Sequence, residues 1–261
     1  SLPATGCRAS ASTSLPGYNL PRVTKFEWLR ELYVDYPHDD RLARKLAAPI
    51  APYAELAISH LPSGLVVLRC KYLCLDEMPV LPESLEMLLW AEHKQVQGKP
   101  DRRLDGPLPR TLRSLNIVFE RPGRWDEDVD YLELPDLPPS LVCLTLDMVG
   151  QRSGTLPPLP TALKHLSCNM ANLTRLPEIL PALLVTLACS SNSILALPSA
   201  LPAQLTHLAC DGNMLEVLPS LPANLATLYC SSNPLTTLPA PLPRSLKELN
   251  CFRNKLRTLP E

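Results

Sequence analysis

Nine cysteines are the first residues of this 261-residue chain that chemistry could use. Cys70, Cys168, Cys189, Cys210, Cys230 and Cys251 recur in one local frame, Leu-x-x-Leu-x-Cys, and the last five follow one another at 20 or 21 residues. A structural metal site needs Cys-x-x-Cys pairs or Cys/His clusters. This spacing offers neither, so no metal is expected. Disulfides are not expected either, because equivalent positions of a repeat stack in a column with no distinct partner for each. Free cysteine is often buried as a small hydrophobe. The six are therefore read as a buried ladder of thiols in a protein of a reducing compartment. His165 and His207 share another column, two units apart. At ~4.8 Å between strands they stand roughly 10 Å apart, too far to share a metal ion. They read as exposed polar residues on a binding face, and no cofactor is expected.

These residues are positioned by a repeat. Units open at Leu61, Leu81, Leu108, Leu137, Leu159, Leu180, Leu201, Leu221 and Leu242, each as Leu-Pro-x-x-Leu-x-x-Leu. Such self-similarity is the signature of a solenoid. The cysteine position reads Cys70, Trp90, Ile117, Leu146 and then five cysteines, all apolar, so the column is core. Leu228 and Cys230 alternate inward, which predicts a short strand over Leu228–Cys230 and, by repetition, a parallel sheet on one face. Asn192, Asn213, Asn233 and Asn254 follow the strands, where an amide can bond backbone groups as the chain turns inward. In the unit from Leu159 that place holds Ala171, with Asn172 one position late, and a local irregularity is expected. Thirty prolines against nine glycines exclude a helical bundle and suit an extended, polyproline-like convex side. The segments EHKQVQGKPDRRLDG and ERPGRWDEDVDYLEL lengthen two units and read as polar loops.

With Lys+Arg at 25 and Asp+Glu at 26, electrostatic binding to nucleic acid is not expected. No apolar run approaches the ~20 residues of a membrane span, and no cleavable signal peptide is visible. Residues 1–22 are polar, contain proline and serine, and are expected to be mobile. Residues 23–60 are expected to form a helical N-terminal cap. Thr24 and Glu27 make a capping box inside a Val23/Trp28 staple. Phe26, Leu29, Leu32, Tyr33 and Tyr36 follow at helical spacing, and a second helix would carry Leu42, Ala43, Leu46 and Ala47. Residues 61–261 form the nine-unit repeat domain. Nothing after Leu259-Pro260-Glu261 would cover its last apolar face, so truncation at the C-terminus is expected.

The units, Leu-Pro-x-x-Leu-x-x-Leu-x-x-x-x-Asn-x-Leu-x-x-Leu-Pro over residues 61–260, resemble the leucine-rich repeats of bacterial type III secreted effectors of the IpaH, SspH, YopM and XopL kinds. Cysteine stands where those families more often have Val or Ile. The resemblance implies an α/β solenoid, a leucine-rich-repeat horseshoe with a parallel sheet on its concave face and paired helices before the repeats. It also implies secretion into the host cell cytoplasm. In the ligase members a catalytic domain follows the repeats and transfers ubiquitin to a target that the repeats hold. This chain is then not itself an enzyme, whereas the full-length parent could be an E3 ubiquitin ligase. Cys74-Leu75-Asp76 matches the Cys-x-Asp nucleophile motif of IpaH-type ligases but lies inside the first repeat, with Leu75 at a core position. Leu2-Pro3-Ala4-Thr5-Gly6 matches a sortase signal but is N-terminal and lacks the apolar segment and basic tail such a signal needs.

The remaining chemistry is the outer face of the sheet. Its outward positions include Arg69, Met87, Asn116, Phe119, Asp147, His165, His207, Asp211, Tyr229, Lys247, Phe252 and Arg253. Ala188, Ala209, Ser190 and Ser231 leave a shallow trough edged by Tyr229, Phe252 and Arg253, and aromatic and arginine side chains are the usual hot-spot types. His165, His207, Asp211, Tyr229, Lys247, Phe252 and Arg253 are the candidate partner-binding residues, for a host protein on the concave face. A C-terminal catalytic domain of the parent is a second candidate partner. The alternative function is a stand-alone scaffold or inhibitor. A secreted ectodomain is disfavoured by the unpaired thiols, and Asn172-Leu173-Thr174 is its only N-glycosylation sequon.

Overall fold

Leu-Pro-x-x-Leu is a turn. In all nine units the amide of the second leucine donates to the proline carbonyl three residues back, from Leu65 to Pro62 at 3.1 Å through to Leu246 to Pro243 at 3.0 Å. Proline loses nothing there, since only its carbonyl is used. The next two amides then donate together to one carbonyl of the preceding unit. Lys164 and His165 bond Val142, Val185 and Thr186 bond Lys164, and the pattern runs on to Lys247 and Glu248 on Ala226. Each turn thereby hooks its unit to its neighbour before the strand begins.

The computed structural model describes residues 8–12, 29–35, 61–71, 80–93, 102–103, 106–120, 132–151 and 153–260. Eleven strands form one sheet, all paired in parallel. They are β1 (Arg8–Ser12), β2 (Glu31–Asp35), β3 (Val67–Lys71), β4 (Met87–His93), β6 (Ser114–Glu120), β8 (Cys143–Asp147), β9 (His165–Ser167), β10 (Thr186–Ala188), β11 (His207–Ala209), β12 (Thr227–Tyr229) and β13 (Glu248–Asn250). The strand expected at Leu228–Cys230 thus lies one residue earlier. The pair β5 (Arg102–Arg103) and β7 (Leu132–Glu133) forms a second, two-stranded sheet, so the two long insertions meet, and Leu132 is buried. The fold is a leucine-rich-repeat solenoid, and no helix occurs among the described residues.

One expectation is overturned at the N-terminal side. Leu32 and Tyr33, placed on a helix by their spacing, lie on β2, with Leu32 opposite Leu68 and Val34 opposite Cys70. Leu29-x-x-Leu32-x-Val34 is itself a repeat strand without its Leu-Pro opening. Leu29 and Leu32 are buried in the common core, and the Arg30 carbonyl accepts Val66 and Val67 as the regular units do. β1 likewise falls within the segment expected to be mobile. The capping box, the second helix, Leu2–Gly6 and Cys74–Asp76 lie outside the described residues.

The core is a stack of columns. Leu163, Leu184, Leu205 and Leu225 form one, Leu166, Leu187, Leu208 and Leu228 a second, and Cys168, Cys189, Cys210 and Cys230 a third, all buried. Phe119, expected to face outward, is buried and meets Trp90 edge-on, ring centroids 6.2 Å apart. β6 runs far enough for Phe119 to alternate inward after Ile117.

Beside the cysteines runs a column of asparagines. Asn213 Nδ2 donates to the carbonyls of Cys189 (3.0 Å), Cys210 (3.1 Å) and Asp211 (3.3 Å), while its Oδ1 accepts the Ile194 amide (3.1 Å). Asn192, Asn233 and Asn254 repeat the arrangement. The expected irregularity is present. Asn172 is exposed and left-handed (φ 56), and Asn192 compensates by accepting the amides of both Ala171 and Leu173. Two residues past the core column, Met148, Met170, Ser191, Gly212, Ser232 and Arg253 all have φ between 54 and 62. This left-handed step turns the chain off the strand in the six units from Leu137 onward.

Candidate functional site

Residues that alternate with the leucine and cysteine columns face away from the core. On the last five strands His165, Thr186, His207, Thr227 and Glu248 form one cross-strand row, and Ser167, Ala188, Ala209, Tyr229 and Asn250 the next. His165 and His207 flank Thr186 and both are exposed. They do not act together: His165 Nδ1 meets Thr186 Oγ1 at 3.2 Å, and His207 Nδ1 meets Thr206 Oγ1 at 2.7 Å. No group of three or more His, Cys, Asp or Glu that could hold a metal occurs among the described residues.

Asp211 is engaged by the scaffold. Its Oδ1 accepts the Ser231 amide at 2.8 Å and the Ser231 hydroxyl, and its Oδ2 accepts Ser190 Oγ at 3.4 Å. Asp147 plays a like part three units earlier, accepting Ser167 Oγ at 2.7 Å and the Asn169 amide at 2.9 Å. Asn169 Oδ1 in turn accepts the Ser190 amide at 2.8 Å. A polar ladder therefore lines one edge of the trough, and Asp211 belongs to it. The floor holds Ala188 and Ala209, both half-buried.

The far wall is Tyr229. Its hydroxyl donates to Glu248 Oε2 at 2.6 Å, and that bond to an anion raises its pKa above the ordinary tyrosine value. Phe252 is 69% exposed, with the Arg253 guanidinium 5.4 Å from its ring centre, a cation–π contact. Lys247 is exposed at the strand entrance. Tyr229, Lys247, Phe252 and Arg253 thus gather on the last two units, while His165 stands on the other side of the trough.

The cysteine column has no access to this chemistry. Burial, together with the nearby Asp147 carboxylate, pushes the Cys168 thiol far up. Cys189 and Cys210 are raised likewise, and Cys230 is pushed up to about 12. These are packing residues, free of disulfides.

The candidate contacts leave out the other half of the face, although Arg69, Met87 and Asn116 are outward there. Beside Arg69 on β3, the outward residues Val67, Met87, Leu89 and Val118 are all apolar and half-buried. The signal available was a single arginine among mostly aliphatic outward residues, with Tyr33 and Asn116 in its cross-strand row.

No family model matches the chain, and no curated protein does. Among solved structures, YopM from Yersinia enterocolitica WA-314 is similar at 29% identity and a TM-score of 0.60, over 93% of this chain and 50% of that one. YopM from Yersinia pestis, described as a leucine-rich effector protein, is similar at 25% identity and a TM-score of 0.59, over 90% and 56% of the two chains. Listeria monocytogenes InlP matches 61% of this chain and 47% of its own, at 27% identity and a TM-score of 0.51. The chain spans about half the length of these proteins. Repeat, register and likeness together make this a leucine-rich-repeat protein of the bacterial kind.

Proposed function

We propose that this chain is the target-recognition module of a secreted bacterial effector, working in the host cytoplasm and holding a host protein on the concave face of its sheet. The observation that carries the reading is the contrast between scaffold and surface. Turn, leucine, cysteine and asparagine positions repeat from unit to unit, while the outward positions do not. A rigid sheet that varies only where it meets solvent suits selection of a partner by side chains. The likeness to the Yersinia effectors supports the bacterial setting. His165, His207, Tyr229, Lys247, Phe252 and Arg253 are the proposed contacts, and Asp211 holds the surface in shape. In a ligase parent the same face would present the target for ubiquitin transfer.

The experiment is affinity capture from host cytosol by the chain, beside the double variant Tyr229→Ala/Phe252→Ala. Specific partners should be lost with the variant. Capture that is indifferent to it removes this patch. Intact mass of the native gene product, followed by a ubiquitin-transfer assay if it is larger than 28.8 kDa, tests the ligase parent.

A further inference from the structure

We infer that Arg69 is a preset carboxylate receptor on the N-terminal half of the sheet, taking an Asp or Glu side chain from an apolar segment of the protein partner. The inference deepens the recognition reading above and rests on it. Arg69 stands on β3 between Tyr33 of β2 and Leu89 of β4 in one cross-strand row. Its guanidinium carbon lies 5.1 Å from the centre of the Tyr33 ring, a cation–π contact that fixes the plane of the group. Among the described residues its one hydrogen bond is from Nη2 to the Met87 thioether at 3.8 Å, a weak acceptor. Nε is buried with no acceptor. The Tyr33 hydroxyl donates instead to Glu31, at 2.9 Å. Among the described residues no carboxylate pairs with Arg69.

A half-buried guanidinium without an anion is a costly arrangement. Arg30, by contrast, reaches the Gly64 carbonyl with Nη1 at 2.8 Å. Val67 on its own strand and Met87 and Leu89 of β4 put aliphatic surface beside Arg69, while the Glu31 carboxylate, opposite Val67, is taken up by the Tyr33 hydroxyl; such apolar surroundings strengthen any charge-assisted bond made there. Guanidinium presents paired donors that match a carboxylate in geometry. Because the Tyr33 stack already holds the group, little side-chain freedom remains to be lost on binding. The apolar surroundings call for apolar neighbours beside the acid.

The test is selection of random displayed peptides on the immobilised chain, followed by affinity measurement against Arg69→Met and against Tyr229→Ala/Phe252→Ala. Selected peptides should carry Asp or Glu beside apolar residues. Affinity should fall about ten-fold or more with Arg69→Met. Replacing the peptide's acid by its amide should cost a similar factor on the native chain and nothing further on Arg69→Met. The variant should unfold at the same or higher denaturant, since a charge without a partner is removed. A large fall in its unfolding midpoint would make Arg69 a structural prop and overturn the inference. Peptides that depend on Tyr229 and Phe252 but not on Arg69 would overturn it while leaving concave-face recognition standing. Peptides indifferent to both variants, or none at all, would remove both.

Discussion

Asn213 and Cys189 belong to consecutive units, and a hydrogen bond of 3.0 Å joins the asparagine amide to the cysteine carbonyl. The same side chain closes the turn of its own unit at Cys210 and holds the Ile194 amide. Removing it as Asn213→Ala leaves the Ile194 amide without its partner and takes one of two donors from the Cys189 and Cys210 carbonyls, which keep Asn192 and Asn233. At ~1–3 kcal/mol for one unsatisfied buried group, the loss should be about 2 kcal/mol. Urea unfolding should show a lower midpoint at unchanged slope. Asn172→Gly is the control: Asn172 is exposed and left-handed, a conformation glycine adopts freely, so little should change. Equal losses in the two variants would refute a special role for the asparagine column.

The left-handed step makes a prediction of opposite signs at neighbouring units. Ser191 (φ 58) carries a side chain where Gly212 (φ 62) carries none. Left-handed backbone costs a non-glycine residue roughly 1–2 kcal/mol. Ser191→Gly relieves this but adds freedom to the unfolded chain, so a net gain of about 0.5 kcal/mol is expected. Gly212→Ala should lose about 1 kcal/mol. A Cβ at Gly212 would meet Ser191 at 3.5 Å, an ordinary contact, so the loss is conformational rather than steric. Thermal unfolding of the two single variants measures both signs.

These two columns also mark how far the sequence could be read. The asparagines were legible because one residue type does one job at a fixed position. The left-handed column was not, because methionine, serine, glycine and arginine share it and only Gly212 advertises the backbone. The strand at Glu31–Asp35 was missed because Leu29 and Leu32, three apart, satisfy a helix face as well as a repeat, and the missing Leu-Pro removed the cue. The part played by Asp211 depends on serines 20 and 21 residues away that only the register brings to it. A further spine was invisible for the same reason: Ser84, Ser140 and Ser245 each bond two carbonyls of the preceding unit. Tyr229 and Phe252 were legible as outward residues because alternation along a strand is strict, whereas the special position of Arg69 lies in a guanidinium whose Nε has no acceptor, which only the three-dimensional packing reveals.

Tyr229 should report on Glu248. The phenol donates to the carboxylate, so ionising it would break the bond and set two anions together. Its pKa is accordingly raised, first by that hydrogen bond and then by the charge. Glu248→Gln should bring the titration back down. The measurement is the ultraviolet difference between the chain and its Tyr229→Phe variant as pH rises, repeated in the Glu248→Gln background. An unchanged titration would mean the bond is absent in solution.

The thiol ladder sets an alkaline limit on the fold. Cys168, Cys189 and Cys210 are raised well above the ordinary thiol value, first by burial, and Cys230 is raised to about 12. A group held protonated in the fold contributes its full stability below its unfolded pKa. Above that pKa the unfolded chain gives up its proton while the folded chain keeps it, so stability falls as pH rises. The loss begins near the unfolded thiol pKa of ~8.5 and continues until the folded value is reached, at about 1.4 kcal/mol per pH unit for each thiol. Four such thiols make the slope steep, and the fold should fail cooperatively in that window. Cys189→Val and Cys210→Val together keep apolar volume in the column and remove two of the four titrations. The variant should then hold its circular dichroism to higher pH than the native chain. Native thiol titration should agree, with these four slow to react until the chain unfolds. An alkaline midpoint unmoved by the two substitutions would mean that another group governs the limit.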